Sequence, residues 1–133
     1  MQNIFSSEAG IIANYDNEGL ATLNTVTNIL PQNEDPLYVL GIMNSELARF
    51  FMVFVVYNQS RLTMHTDRSY IGRLPIPYTN NNNKNAIIKI VKNLMSNLDD
   101  KDILNSLVYD TFNLTSKERN TIKMHLKTFK KTI

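Results

Sequence analysis

Apolar residues in this chain gather into blocks of different period, and the densest block organises the rest. Between Asp35 and Pro77, the side chains Leu37, Leu40, Ile42, Leu47, Phe50, Phe51 and Phe54 recur at helical spacing, in a run too rich to be one surface stripe. The pattern predicts a buried helix or helix pair. Asp35 offers a carboxylate to the free N–H groups of a first turn, and Pro36 then takes the first helical position, where its missing N–H costs nothing. Asn44 and Ser45 carry side-chain oxygens that compete for the backbone, so the helix is predicted to pause there and restart with Ser45 as its cap. Beyond Tyr57 the period dissolves into polar residues until Leu74-Pro75-Ile76-Pro77, where two prolines forbid helix and favour an extended segment.

On the N-terminal side, Met1 to Gly10 shows no strong period and reads as a frayed beginning or a truncated strand. Gly10 to Tyr15 is a short apolar run, Asp16-Asn17-Glu18-Gly19 has turn chemistry, and Leu20 to Leu30 is rich in Thr, Val and Ile; together they predict a hairpin. On the C-terminal side, Thr79 to Asn83 reads as a mobile polar loop. Ile87, Val91, Leu94 and Leu98 predict a helix from about Lys84, and Asp99 to Asp102 end it and cap the next, with Ile103, Leu107, Val108 and Phe112 expected inside. Asn113 suits a left-handed terminator, and Thr115 to Glu118 fits a reciprocal capping box before a last helix with Ile122, Leu126 and Phe129 inward. The expectation is one α+β domain over residues 1–133. A small, partly antiparallel sheet and its core helices would occupy 10–78, and a helical C-terminal part 84–133.

Length and a hydrophobic content of 43% suit a single folded domain, and the absence of cysteine excludes disulfides and thiolate metal sites. The longest apolar run, Phe50 to Tyr57, is far below the roughly 18 residues of a membrane span, and no basic-then-apolar leader opens the chain, so a soluble, cytoplasmic protein is expected. The net charge of +2 becomes informative only when divided. Residues 1–60 contain Arg49 as their one base against six acids, whereas residues 61–133 hold thirteen Lys and Arg against six acids. A polyanion would meet the second half first.

Catalytic chemistry finds no foothold in the residue pattern. His65 and His125 are the only histidines and lack partners at metal-ligand spacing, and the four glycines are too scattered for a phosphate-cradling loop. No metal, cofactor or catalytic residue is therefore predicted. The informative polar stretch is Asn58 to Arg73, where Asn58, Gln59, Ser60, Arg61, Thr63, His65, Thr66, Arg68 and Arg73 lie between two hydrophobic elements. Such side chains read base edges when a rigid frame holds them at a groove: Arg for guanine, Asn or Gln for adenine, Ser or Thr for either. Arg49, embedded among apolar neighbours, is expected to pair with an acid such as Glu46 or Asp67.

The helix LGIMNSELARFF, the polar loop after it, and the Leu-Pro-Ile-Pro segment followed by a further helix resemble the C-terminal specificity domain of TaqI-like adenine-N6 DNA methyltransferases. They resemble, more weakly, the target-recognition domains of type I restriction specificity subunits. LVYDTFNLTSKERNTI is similar to the tail of the methyltransferase family, with Phe112-Asn113-Leu114 in its turn. The Asn-Pro-Pro-Tyr catalytic motif and the glycine-containing cofactor loop of those enzymes are absent. The resemblance implies a DNA target-recognition module of a type II restriction-modification enzyme, with double-stranded DNA and the methyltransferase catalytic domain of the parent protein as partners. The alternative from another class is a helical protein-interaction module that docks on a catalytic or partner subunit without touching DNA.

Overall fold

The computed structural model describes residues 1–23, 25–60 and 64–131, without the side chains of Ile4, Lys130 and Lys131. Helix α1 (Pro36–Met43) starts where the sequence marks it. The Asp35 carboxylate accepts from the N–H groups of Leu37 at 2.8 Å and Tyr38 at 3.4 Å, with Pro36 in the first turn. Ser45 then interrupts the helix in extended backbone, its hydroxyl accepting from Ala48 N–H at 3.1 Å and donating to the Ile42 carbonyl at 2.6 Å. Helix α2 (Glu46–Phe51) restarts at an angle of 58° and continues into a π-helical stretch, Met52–Val56. No single described helix is long and apolar enough to cross a membrane.

Six consecutive residues of α1, Tyr38 to Met43, are buried, because the helix lies between two cores. On one side Tyr38, Leu40 and Ile42 meet Ile87 and Val91 of α4 (Asn81–Met95) and Leu104 and Val108 of α5 (Lys101–Thr111). On the other, Val39 and Met43 join Ala48, Met52, Val53 and Val56, together with Phe5, Met64 and Phe129. A third cluster sets Tyr109 against Ile122 and Leu126 of α6 (Ser116–Lys131) beneath Leu47, Phe50 and Phe54. Asn113 is left-handed at φ 55°, and the capping box closes as predicted: Thr115 N–H donates to Glu118 at 2.7 Å, and Glu118 N–H to the Thr115 hydroxyl at 3.3 Å.

The α+β expectation fails. The chain is about 51% helical, and the described ladder is one short antiparallel pairing of β1 (Ile4–Phe5) with β2 (Met64–His65), Ile4 opposite His65 and Phe5 opposite Met64. The predicted hairpin keeps its turn, where Asp16 accepts from the N–H groups of Glu18 and Leu20 and Gly19 sits at φ +71°, but its arms do not pair. Leu20 to Leu30 touches the described sheet pattern only through an isolated bridge between Val26 and Gln2. Strand propensity measures how well side chains fit a pleated surface, and without one these Thr, Val and Ile residues form no continuous ladder among the described residues. The Pro-Ile-Pro segment is extended but outside any ladder, since proline has no N–H to donate; the Tyr38 hydroxyl holds it by donating to the Pro77 carbonyl at 2.6 Å.

Two helix boundaries or faces also differ. The asparagine run is the first turn of α4, not a loop, because Asn80 caps it by accepting from Asn83 N–H at 2.9 Å. Helix α5 buries Leu104, Val108, Tyr109 and Thr111, leaving Ile103 50% exposed. The helix must meet α1 and α6 at once, and that double contact rotates its inner face by one position.

Candidate nucleic-acid interface

The polar segment is mounted on the end of the π-helical stretch. Asn58 and Gln59 both take left-handed backbone, at φ 46° and 60°, in a turn closed by Gln59 N–H donating to the Val53 carbonyl at 2.7 Å and Ser60 N–H to the Tyr57 carbonyl at 2.9 Å. Asparagine tolerates this region better than most residues, and glutamine is held there by the surrounding bonds. The turn leaves the Asn58 and Gln59 side chains in solvent and Ser60 half-buried.

Tyr57 ties the start of the segment to its middle. Its ring sits between Phe5 at 5.1 Å and Tyr70 at 5.4 Å, and its hydroxyl donates to the His65 carbonyl at 2.5 Å. Burial pushes its phenol up to about 12, with the nearby Asp67 charge and Tyr70 adding to the effect. The His65 ring is left exposed on β2. Thr66 follows the opposite course: it is 1% exposed, its hydroxyl donating to the Gln2 carbonyl at 2.8 Å and its N–H to the Asn3 carbonyl at 2.9 Å. That side chain fastens the segment to the N-terminal strand.

Asp67 caps α3 (Arg68–Ile71) by accepting from Ser69 N–H at 3.0 Å. Arg68 at its start and Arg73 just beyond it are exposed, as is Ser69. A side chain at Gly72 would lie 2.6 Å from the Arg68 carbonyl, so the tight end of α3 requires glycine. Of the nine residues singled out in the sequence, Asn58, Gln59, His65, Arg68 and Arg73 present polar groups to solvent, Ser60 does so partly, and Thr66 does not. Arg61 and Thr63 lie outside the described residues. Ser69 joins the exposed set; its type is the only signal the sequence gave for it.

Arg49 does not form the expected pair with Glu46 or Asp67. Its Nε donates to the Ser7 carbonyl at 2.7 Å, its stem packs on Gly10, and its Nη2 is buried without a hydrogen-bond partner. Burial lowers its affinity for the proton, while the fields of Glu46 and Glu8 act the other way. Glu46 instead accepts from the Tyr109 hydroxyl at 3.0 Å. Arg49 is thus a clamp on the N-terminal segment.

Positive charge outside the segment lies on the late helices. Lys84 is paired with Glu34 at 2.6 Å and Arg119 with Asp110 at 2.6 Å. Lys89 and Lys92 on α4 and Lys117, Lys123 and Lys127 on α6 are exposed and form no ion pair among the described residues. The α5–α6 pair could be taken for a DNA-binding helix-turn-helix, but α6 buries Ile122, Leu126 and Phe129 against the core, and the lysines occupy its outer face.

The sequence profile of the TaqI-like C-terminal specificity domain family matches residues 4–76, more than half of the chain. The chain belongs to this family. The match runs from β1 through the Pro-Ile-Pro segment and so contains the whole Asn58 to Arg73 stretch together with the elements that hold it. As a TaqI-like specificity domain, it is a recognition module of the restriction-modification methyltransferase kind. The lysine-bearing helices α4 to α6 lie entirely beyond the matched residues. No curated protein and no solved structure matches the chain.

Proposed function

We propose that this domain reads a target sequence in double-stranded DNA for a type II restriction-modification enzyme with an adenine-N6 methyltransferase activity. The observation that carries the reading is that the family match contains a polar segment fixed at both ends by packing, with Asn58, Gln59, His65, Arg68 and Arg73 exposed on it. Base readout needs donors and acceptors whose positions are set before the DNA arrives, and the Tyr57, Thr66 and Asp67 bonds supply that order. Arg61 and Thr63, between the Ser60 turn and β2, belong to the same reading set. Ser60 lies at its edge, and Thr66 is assigned to the scaffold. Exposed lysines of α6 meet phosphates, which positions the duplex without reading it.

Methyl transfer falls to a catalytic domain, since this chain carries neither the Asn-Pro-Pro-Tyr motif nor a cofactor loop. A cytoplasmic site of action goes with that role. The test is selection of a preferred site from a random duplex pool using the parent enzyme, followed by binding of Arg68→Ala and Arg61→Ala to selected and random DNA. Each is expected to lose roughly 1 to 3 kcal/mol on the selected site and much less on random duplex. Equal losses on both would place the segment on the DNA backbone. Absence of any salt-dependent DNA binding would favour docking on a protein subunit instead.

A further inference from the structure

An aromatic column runs from the core to the tip of the polar segment. Phe5 of β1 is buried, Tyr57 stands 5.1 Å from it at a tilt of 34°, and Tyr70 of α3 stands 5.4 Å from Tyr57 at 32°. The first two rings are fixed by their surroundings: both belong to one core cluster, and the Tyr57 hydroxyl donates to the His65 carbonyl. The third is fixed by its helix. Ile71 and Leu74 pack against the same core, Ile71 N–H donates to the Asp67 carbonyl at 3.0 Å, and Arg73 N–H donates to the Tyr70 carbonyl at 3.1 Å. With Tyr57 against one side of its ring, Tyr70 remains 40% exposed.

A tyrosine exposed singly on a surface needs no explanation. This one ends a stacked column and is the only exposed tyrosine or phenylalanine among the described residues of 58–73. Arg68 and Arg73, close to it in sequence, are exposed and form no ion pair among the described residues, while the Asp67 carboxylate accepts from Ser69 N–H. Aromatic rings attract at centroid separations of about 4.5 to 7 Å, and a ring held in place beforehand loses little freedom on binding. The open side of Tyr70 therefore suits a further flat aromatic group, carried by a polyanion that the two arginines attract. Paired, stacked DNA hides the faces of its bases, whereas an unpaired base costs least to take out of the stack and then offers its face. We infer that Tyr70 is a stacking site for an unpaired nucleobase in DNA. The inference rests on the DNA contact proposed for this segment and deepens it, since edge readout recognises base pairs and stacking recognises a base that has lost its pair.

Every base has a π-face, so the test needs no selected site. Binding of the whole chain is measured to a duplex of fixed sequence in which one iodouracil is paired with adenine, and to the same duplex in which that iodouracil stands unpaired opposite an abasic position. The unpaired duplex is expected to bind about 5- to 150-fold tighter, the range that stacking on one base supplies. Irradiation is expected to crosslink the unpaired iodouracil to the peptide that contains Tyr70. Tyr70→Leu should remove both the gain and the crosslink, and Tyr70→Phe should keep both; affinity for the paired duplex, unchanged in each, reports that the variants are folded. Equal affinity of the wild-type chain for the two duplexes would overturn the inference. So would a gain that survives Tyr70→Leu, or a loss that Tyr70→Leu spreads alike over both duplexes, which would make Tyr70 a packing residue. A chain that preferred the unpaired duplex but showed no sequence preference on paired DNA would keep this site and lose base reading, and one that bound no DNA would lose both.

Discussion

Asp35 shows how one side chain can fix the beginning of a buried element. Its carboxylate satisfies N–H groups at the head of α1, and Asp35→Ala is expected to lower stability by about 1 kcal/mol, read from chemical denaturation. Gly41 has a different constraint, since an added Cβ would stand 2.5 Å from Ile87 Cγ2 and 3.0 Å from Val91 Cγ2. Gly41→Ala should therefore destabilise by about 1 to 3 kcal/mol by forcing α1 from α4, despite alanine's better helix propensity. The buried phenols set the alkaline limit. Burial raises Tyr38 and Tyr57 from 10.0 to about 12, so the folded state favours their neutral form. The stability they contribute is whole below pH 10 and is lost as pH rises through about 12. Tyrosinate absorbance against pH should show these two ionising late, with unfolding setting in over the same window.

At the scale of elements, the α2 helix and its π-helical continuation divide their residues between core and groove. Met52 is 0% exposed and Val53 1%. Leu47, Phe50 and Phe51 are half-buried and line an apolar groove of about 740 Å³ between α2, Leu74-Pro75 and the start of α6. The helical spacing of Leu47, Phe50, Phe51 and Phe54 predicts them in the core. Met52, Val53 and Val56 of the π-helical stretch are buried, whereas Leu47, Phe50, Phe51 and Phe54 pack against the cores only half-buried. Met52→Ala is accordingly expected to cost about 2 to 5 kcal/mol, and Phe51→Ala less, from denaturation midpoints of the two variants. Reversed costs would place Phe51 in the core and Met52 at its edge.

For the whole molecule, positive charge is concentrated in the second half, with one base in residues 1–60 and thirteen in residues 61–133. The proposed reading segment begins at Asn58, close to that division, and the exposed lysines of α4 and α6 follow it. On the proposed reading, Lys123→Ala on the exposed face of α6 should weaken binding to all sequences alike and reduce the salt slope by about one unit. Titration of parent-enzyme binding against salt would show it, and a loss confined to the selected site would make Lys123 a base reader.

Some of this architecture needed only the chain itself. The caps at Asp35, Ser45 and Thr115, the left-handed Asn113 and the inward face of α6 are legible in sequence because each depends on contacts within a few residues. The location of the polar segment is legible too, since apolar blocks bound it on both sides. What the chain could not state by itself is which polar groups of that segment face outward. Thr66 and His65 are neighbours of similar polarity, and only the approach of Gln2 and Asn3, more than sixty residues away in sequence, buries one and leaves the other in solvent. The missing sheet has the same origin: strand-forming residues fix a preference, but a ladder needs a second strand in reach, and tertiary structure alone decides whether one is there.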